Sequence, residues 1–125
     1  MVTIIGILAG VASIKYASLL RKADEGAVQG NLGTLRSAIS IYYADMEGQY
    51  PQSPSVLTVG SRYLNAVPSA KIPGYHAVSA LVTLSVSADD AAGWVYNNTT
   101  SNSRFGFIGV NCVHTDSKGS VWSSY

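Results

Sequence analysis

The first fourteen residues of the chain, Met1–Ile14, carry no charge and contain no proline. Most of their side chains are aliphatic, so a helix formed by them is apolar on every side and must be buried against something. The rest of the sequence predicts one small sheet, which is too little to cover such a helix. We therefore expect this end of the molecule to project from its domain and to be buried by other subunits or by lipid.

Size and charge restrict the class of protein. A chain of 125 residues suits one domain with an extension. Its net charge of +1, with 12% charged residues, leaves no basic stripe for nucleic-acid phosphates, so nucleic acid is not an expected partner. Cys112 is the only cysteine, which excludes an intrachain disulfide and a multi-cysteine zinc site.

The apolar terminus fits neither a signal peptide nor a complete membrane span. A signal peptide has a cationic leading region and a cleavage site, whereas here the helical pattern simply continues. A membrane span needs about 20 apolar residues, and Lys15 comes before that length is reached. We expect the segment to fall short of a full span by about two turns of helix.

An amphipathic stretch of helix follows Lys15. Its apolar residues recur at steps of three and four, which places them on one stripe where the rest of the domain should dock. These helix–head packing residues are Val28, Leu32, Leu35, Ile39, Tyr42 and Met46. Because no proline precedes Pro51, we predict one helix from near residue 1 to about residue 47, roughly 70 Å long. The chain then divides into a projecting half, residues 1–24, and a globular head, residues 25–125.

The charged side chains of this region lie off the apolar stripe. Arg21 and Glu25 are one turn apart, and Lys22, Asp24 and Arg36 also fall on the predicted wet side of the helix. We expect all five to be solvated or to contact other subunits.

After the helix the pattern changes to β structure. Gly48 and Pro51 end the helix, and a short helix is predicted near 55–64. Segments rich in β-branched and aromatic residues follow at 81–86, 93–96 and 104–110, and the last two predict a hairpin. We expect an antiparallel sheet of three or four strands, with Trp122 and Tyr125 folding the tail back onto it.

Several of these segments resemble a known superfamily. Ile4–Ala12 resembles the IIGILAAIA core of the N-terminal helix of type IV pilins and pseudopilins, and Tyr42–Pro51 resembles the end of that helix. Gly93–Tyr96, and Thr115–Gly119 with Trp122, are similar to the head of short pilins and of the type II secretion major pseudopilin. The resemblance implies an α+β, type IV pilin-like fold, with one long N-terminal helix packed on a small antiparallel sheet.

The same resemblance implies a function. In this family the helix packs into a filament core after the subunit leaves the bacterial inner membrane, and the heads form the outside. We therefore expect a structural subunit of an extracellular, pilus-like filament at the cell surface. Its partners would be copies of itself and, before polymerisation, the inner membrane and assembly machinery. The residues expected to drive self-assembly are Val2, Ile4, Ile5, Gly6, Ile7, Leu8, Val11 and Ile14. The alternatives are the major pseudopilin of a type II secretion system and a membrane-anchored binding or adhesion module.

The sequence also departs from the family pattern. The basic leader, the Glu near the start of the mature helix and the Pro within it are missing, and Ile14 stands about where that Pro would fall. We expect a chain truncated by about two turns of helix, or an atypical member that begins at Met1. The single Cys112 cannot form the C-terminal disulfide of many pilins, which favours the short-head, pseudopilin-like branch.

The remaining polar residues predict no chemistry. His76 and His114 lack metal-ligand spacing, so we expect them to be solvated or hydrogen-bonded, and Asp89 and Asp90 read as turn residues. The Asp116–Ser120 loop offers oxygens for calcium, but one carboxylate is few for an ion that takes six to eight ligands. No Ser-His-acid set, phosphate-binding glycine loop or zinc motif is present, so we expect neither a cofactor nor an enzyme.

Overall fold

The computed structural model describes all 125 residues and has the predicted α+β architecture. Helix α1, Val2–Asp45, is 44 residues long, or about 65 Å at 1.5 Å per residue. It ends where Glu47 and Gly48 adopt left-handed backbone angles, with φ of +53° and +89°. The Gly48 N–H donates to the Tyr43 carbonyl at 2.9 Å, which satisfies an oxygen that the helix itself leaves free.

Three short strands form the sheet in the order β1-β2-β3: Val82–Leu84, Trp94–Tyr96 and Ile108–Val110. The predicted hairpin is confirmed, because β2 and β3 are antiparallel, with Trp94 opposite Val110 and Tyr96 opposite Ile108. The expectation of a wholly antiparallel sheet is wrong, because β1 runs parallel to β2.

The connection from β1 to β2 explains the parallel pairing. A three-residue strand is only about 10 Å long, so residues 85–93 suffice to return the chain to the starting edge without a crossover helix. The connection turns through left-handed angles at Asp90, Ala92 and Gly93, whose φ values are +65°, +69° and +73°. A side chain at residue 93 would place its Cβ 2.3 Å from the Leu81 carbonyl oxygen, so only glycine fits there.

The core lies between α1, the sheet and the segments that flank it. A short 3₁₀ helix, Pro54–Ser61, occupies the region where a short helix was predicted. The tail folds back as expected, since Trp122 is buried in the 3₁₀ turn Trp122–Ser124 and its ring centroid lies 5.7 Å from that of Tyr125. The core residues contributed by the head outside α1 are Leu57, Ala70, Ile72, Trp94, Tyr96, Ile108, Val110, Cys112 and Trp122.

Candidate assembly surface

The N-terminal half of α1 is not covered by the head. Every residue from Met1 to Ala23 is exposed. The aliphatic residues predicted to drive self-assembly are between 57% exposed, at Val11, and 84% exposed, at Val2. These exposed residues are Val2, Ile4, Ile5, Ile7, Leu8, Val11 and Ile14. Gly6 lies among them, with open space where a Cβ would be. All eight predicted residues therefore lie on one free, continuous stretch of helix.

The apolar surface continues beyond Lys15. Tyr16, Leu19 and Leu20 are each at least half exposed, and the sequence prediction did not include them because it stopped at the first charge. With these residues included, α1 contains an 18-residue stretch that is long and apolar enough to cross a membrane, by length and composition. The expectation that the apolar run is two turns too short is therefore corrected.

The C-terminal half of α1 is covered by the head. Val28, Leu32, Leu35 and Ile39 are at most 3% exposed, and the neighbouring Ala38 joins them in the core. The other two predicted packing residues, Tyr42 and Met46, are half-buried at the end of the helix, where the Tyr42 ring meets the Tyr63 ring edge-on at 5.5 Å between centroids. Burial thus begins at about residue 24, where the two halves of the helix meet.

Glu25 was predicted to lie on the wet face of the helix, and this prediction is wrong. Its side chain is buried and binds the C-terminal loop of the head, accepting hydrogen bonds from the Ser117 N–H at 3.0 Å and the Ser117 hydroxyl at 2.5 Å. Arg21 donates to the same carboxylate at 3.3 Å. Ser117 lies 92 residues after Glu25 in the sequence. The periodicity of the helix could not show that the loop containing Ser117 packs against Glu25.

The prediction that Arg36 lies on the wet face is also wrong. Its guanidinium is half-buried and donates to the Ile108 carbonyl of β3 and to the main-chain oxygen of Tyr125, so it connects the helix with the sheet and the tail. Asp24 forms an ion pair within the head, with Lys71 at 2.9 Å. Of the five charged residues predicted to be solvated or to contact other subunits, Arg21 and Lys22 are exposed.

In the loop considered for calcium, both carboxylate oxygens of Asp116 already accept hydrogen bonds from the protein. One oxygen of Asp116 accepts from the N–H groups of Lys118 at 2.8 Å and Ser120 at 2.9 Å, and the other accepts from the Tyr125 hydroxyl. The Tyr125 hydrogen bond is the main reason why the pKa of Asp116 lies below its usual value. Neither Asp89 nor Asp90 is hydrogen-bonded to this loop, since they bind Asn111 and the histidines instead.

One group of residues was not predicted as a unit. His76 and His114 are hydrogen-bonded, which is one of the two states expected for them, but their ring centroids lie only 5.3 Å apart and both contact Asp90. The thiol of Cys112 lies against His114. A sequence signal existed for the last pair, because residues two apart in an extended segment point to the same side.

No protein-family model, curated protein or solved structure matches this chain. The exposed apolar half of α1 is the most distinctive surface that the structure itself presents. Its dimensions fit a helix that packs against other helices or inserts into lipid.

Proposed function

We propose that this protein is the structural subunit of a type IV pilus-like extracellular filament. The N-terminal halves of α1 from neighbouring copies would bundle to form the filament core, with the heads on the outside at the cell surface. One observation carries the proposal: a folded head continues into about five turns of apolar helix that nothing in the subunit covers.

The energetics of burial favour such an assembly. Burying an aliphatic side chain contributes about 1.5–3 kcal/mol, so the seven aliphatic assembly residues would contribute on the order of 10–20 kcal/mol when covered. Lost translational and rotational freedom costs roughly 4–15 kcal/mol. Because the helix is a continuation of the one that the head already holds, little further ordering opposes assembly.

The pattern of charge supports a bundle with a defined boundary. Lys15 is the only charged residue among the first twenty, and charge resumes with Arg21 and Lys22. These side chains stand immediately before the first helix residues that the head covers, Asp24 and Glu25. Residues 1–20, with Lys15 as their single charged side chain, would therefore lie in the filament core, and the charged segment that begins at Arg21 would lie at its edge, beneath the heads.

Reconstitution of the purified chain tests the proposal. After detergent removal, with and without lipid vesicles, negative-stain microscopy should show fibres of the wild-type chain. Ile7→Asp should abolish them because a carboxylate would have to be desolvated in the core, and the near-UV circular dichroism of Trp94 and Trp122 should still report a folded head. The matched control is Val59→Asp on the head, since Val59 is 71% exposed and Ile7 is 70% exposed. This control should still assemble.

Three outcomes would contradict the proposal. Abundant fibres from Ile7→Asp would show that the apolar helix does not form the contacts. Wild-type chains that remain single in vesicles, with no fibres in either condition, would favour a membrane-anchored binding or adhesion module. Fibres confined to the cell envelope in vivo, rather than extending outside it, would favour a secretion pseudopilus.

A further inference from the structure

Four potential metal ligands meet at one end of the sheet. His76 comes from the segment before β1, Asp90 from the connection between β1 and β2, and Cys112 and His114 from the segment that follows β3. Each offers one ligand atom, and the four atoms lie within 4.8 Å of one another. Neither the resemblance to pilins nor the assembly surface accounts for this cluster.

Three of the six distances between ligand atoms in the cluster are close to those of a tetrahedral site. His76 Nε2 lies 3.1 Å from Asp90 Oδ1, and His114 Nδ1 lies 3.3 Å from the same oxygen and 3.4 Å from Cys112 Sγ. Zinc bonds of about 2.0–2.3 Å at tetrahedral angles place neighbouring ligand atoms about 3.3–3.7 Å apart. These three separations need to change by only a few tenths of an ångström, and the remaining ones, none longer than 4.8 Å, would have to close by at most about 1.5 Å to admit an ion at the centre.

The donor set selects among metals. Calcium and magnesium take oxygen ligands, whereas one sulfur, two imidazole nitrogens and one carboxylate oxygen suit zinc. We propose that His76, Asp90, Cys112 and His114 form a structural zinc site. Four protein ligands complete the tetrahedron and leave no open position for a substrate, so the site is structural rather than catalytic.

The surroundings orient the ligands and leave a route for the ion. Cys112 is fully buried, whereas the side chains of Asp90 and His114 are 32% and 38% exposed and form the open side. The Val113 N–H donates to Asp90 Oδ1 at 3.0 Å, and the Tyr75 ring stacks on His114 at 4.2 Å between centroids. The main-chain N–H of His114 also donates to Cys112 Sγ at 3.4 Å. Such outer contacts fix the positions of metal ligands.

The site would add a second connection between segments that Asn111 already joins, since Asn111 is hydrogen-bonded to Thr83 of β1 and to Asp89 of the β1–β2 connection. The strands are three residues each, so the sheet supplies little hydrogen bonding at this end, and a single thiol cannot form an intrachain disulfide. Zinc would tie the segment before β1, the β1–β2 connection and the segment after β3 to one point. On binding, the Cys112 thiol gives its proton to solvent and coordinates as thiolate.

Cobalt and zinc titrations of the full chain, without a histidine tag and after dialysis against chelator, test the site. Co²⁺ should give the visible d–d bands of a tetrahedral complex and a near-ultraviolet thiolate charge-transfer band. A hundredfold excess of Zn²⁺ over its Kd should raise the Tm of the head by about 10 °C. Cys112→Ser should remove the charge-transfer band, and His114→Gln, at the exposed side, should weaken zinc binding by at least about 100-fold. Asp45 is an exposed carboxylate outside the cluster, so Asp45→Asn should change neither the charge-transfer band nor the zinc affinity.

Three results would overturn the zinc site. One is a cobalt spectrum without a thiolate band in the folded wild-type chain. Another is zinc affinity that Cys112→Ser and His114→Gln both leave unchanged. The third is a wild-type Tm that zinc does not raise. Because His114 is partly exposed, the folding of His114→Gln, checked by near-UV circular dichroism, separates loss of the site from loss of the head. Fibre formation does not enter these measurements, so the outcome is independent of the filament proposal.

Discussion

The two halves of α1 share one backbone but differ in what surrounds them. Every residue up to Ala23 is exposed, and the most apolar stretch of the helix lies in this half. From Asp24 onward the head covers a stripe at steps of three and four, and charged residues such as Glu25 and Arg36 are used to hold loops and strands. Hydrophobicity alone therefore does not locate the core of this protein.

The difference separates two kinds of energy. Residues in the covered half stabilise the head within one chain, whereas residues in the uncovered half contribute nothing until another molecule covers them. Substitutions in the two halves should accordingly change different measurements, even when the chemical change is the same.

The largest effect is expected for Leu35→Ala in the covered half. Leu35 is fully buried, so its truncation should lower the free energy of unfolding of the head by about 3 kcal/mol. Leu8→Ala is the matched substitution in the uncovered half and should change it by less than about 0.5 kcal/mol. Urea denaturation followed by tryptophan fluorescence in a mild detergent compares the two. Equal destabilisation by both would contradict the division of the helix.

A smaller effect is expected at the boundary between the halves. Glu25→Ala leaves the Ser117 N–H without its acceptor and should destabilise the head by about 2 kcal/mol. Arg21→Ala removes the exposed partner of the same carboxylate and should cost about 0.5 kcal/mol or less. The same denaturation experiment measures both. If Arg21→Ala proved the more damaging, the boundary would have to be placed a turn earlier.

The smallest effect is a gain at the end of the covered half. Glu47 has a left-handed φ of +53°, a conformation that costs a residue with a side chain about 1 kcal/mol. Glu47→Gly should raise head stability by about 0.5–1 kcal/mol, while Glu47→Ala keeps the Cβ and should not. Thermal unfolding by circular dichroism detects the difference. A loss of stability in Glu47→Gly would show that the glutamate side chain stabilises the turn.

Local patterns in the sequence predicted most of the fold. The recurrence from Val28 to Ile39 predicted the covered stripe, and the absence of proline predicted an uninterrupted helix. The β-branched and aromatic residues around Trp94 and Ile108 predicted the hairpin. These signals depend on neighbours a few residues apart, which a sequence displays directly.

Contacts between distant segments could not be predicted in this way. The parallel pairing of β1 depends on left-handed angles at Asp90 and Ala92, residue types that do not require them. The burial of Glu25 depends on Ser117, which is 92 residues away. His76 and Asp90 lie beside Cys112 because the β1–β2 connection returns the chain to the edge of the sheet where β1 begins.

Whether the uncovered half of α1 forms the filament core can be seen in a helical reconstruction of the assembled wild-type fibres by electron cryo-microscopy. Residues 2–20 of every subunit should pack against their copies around the fibre axis, with the heads outside and the surface of residues 24–45 still covered by its own head. A fibre whose axis is formed by heads, or one in which residues 2–20 remain solvent-exposed, would contradict this arrangement.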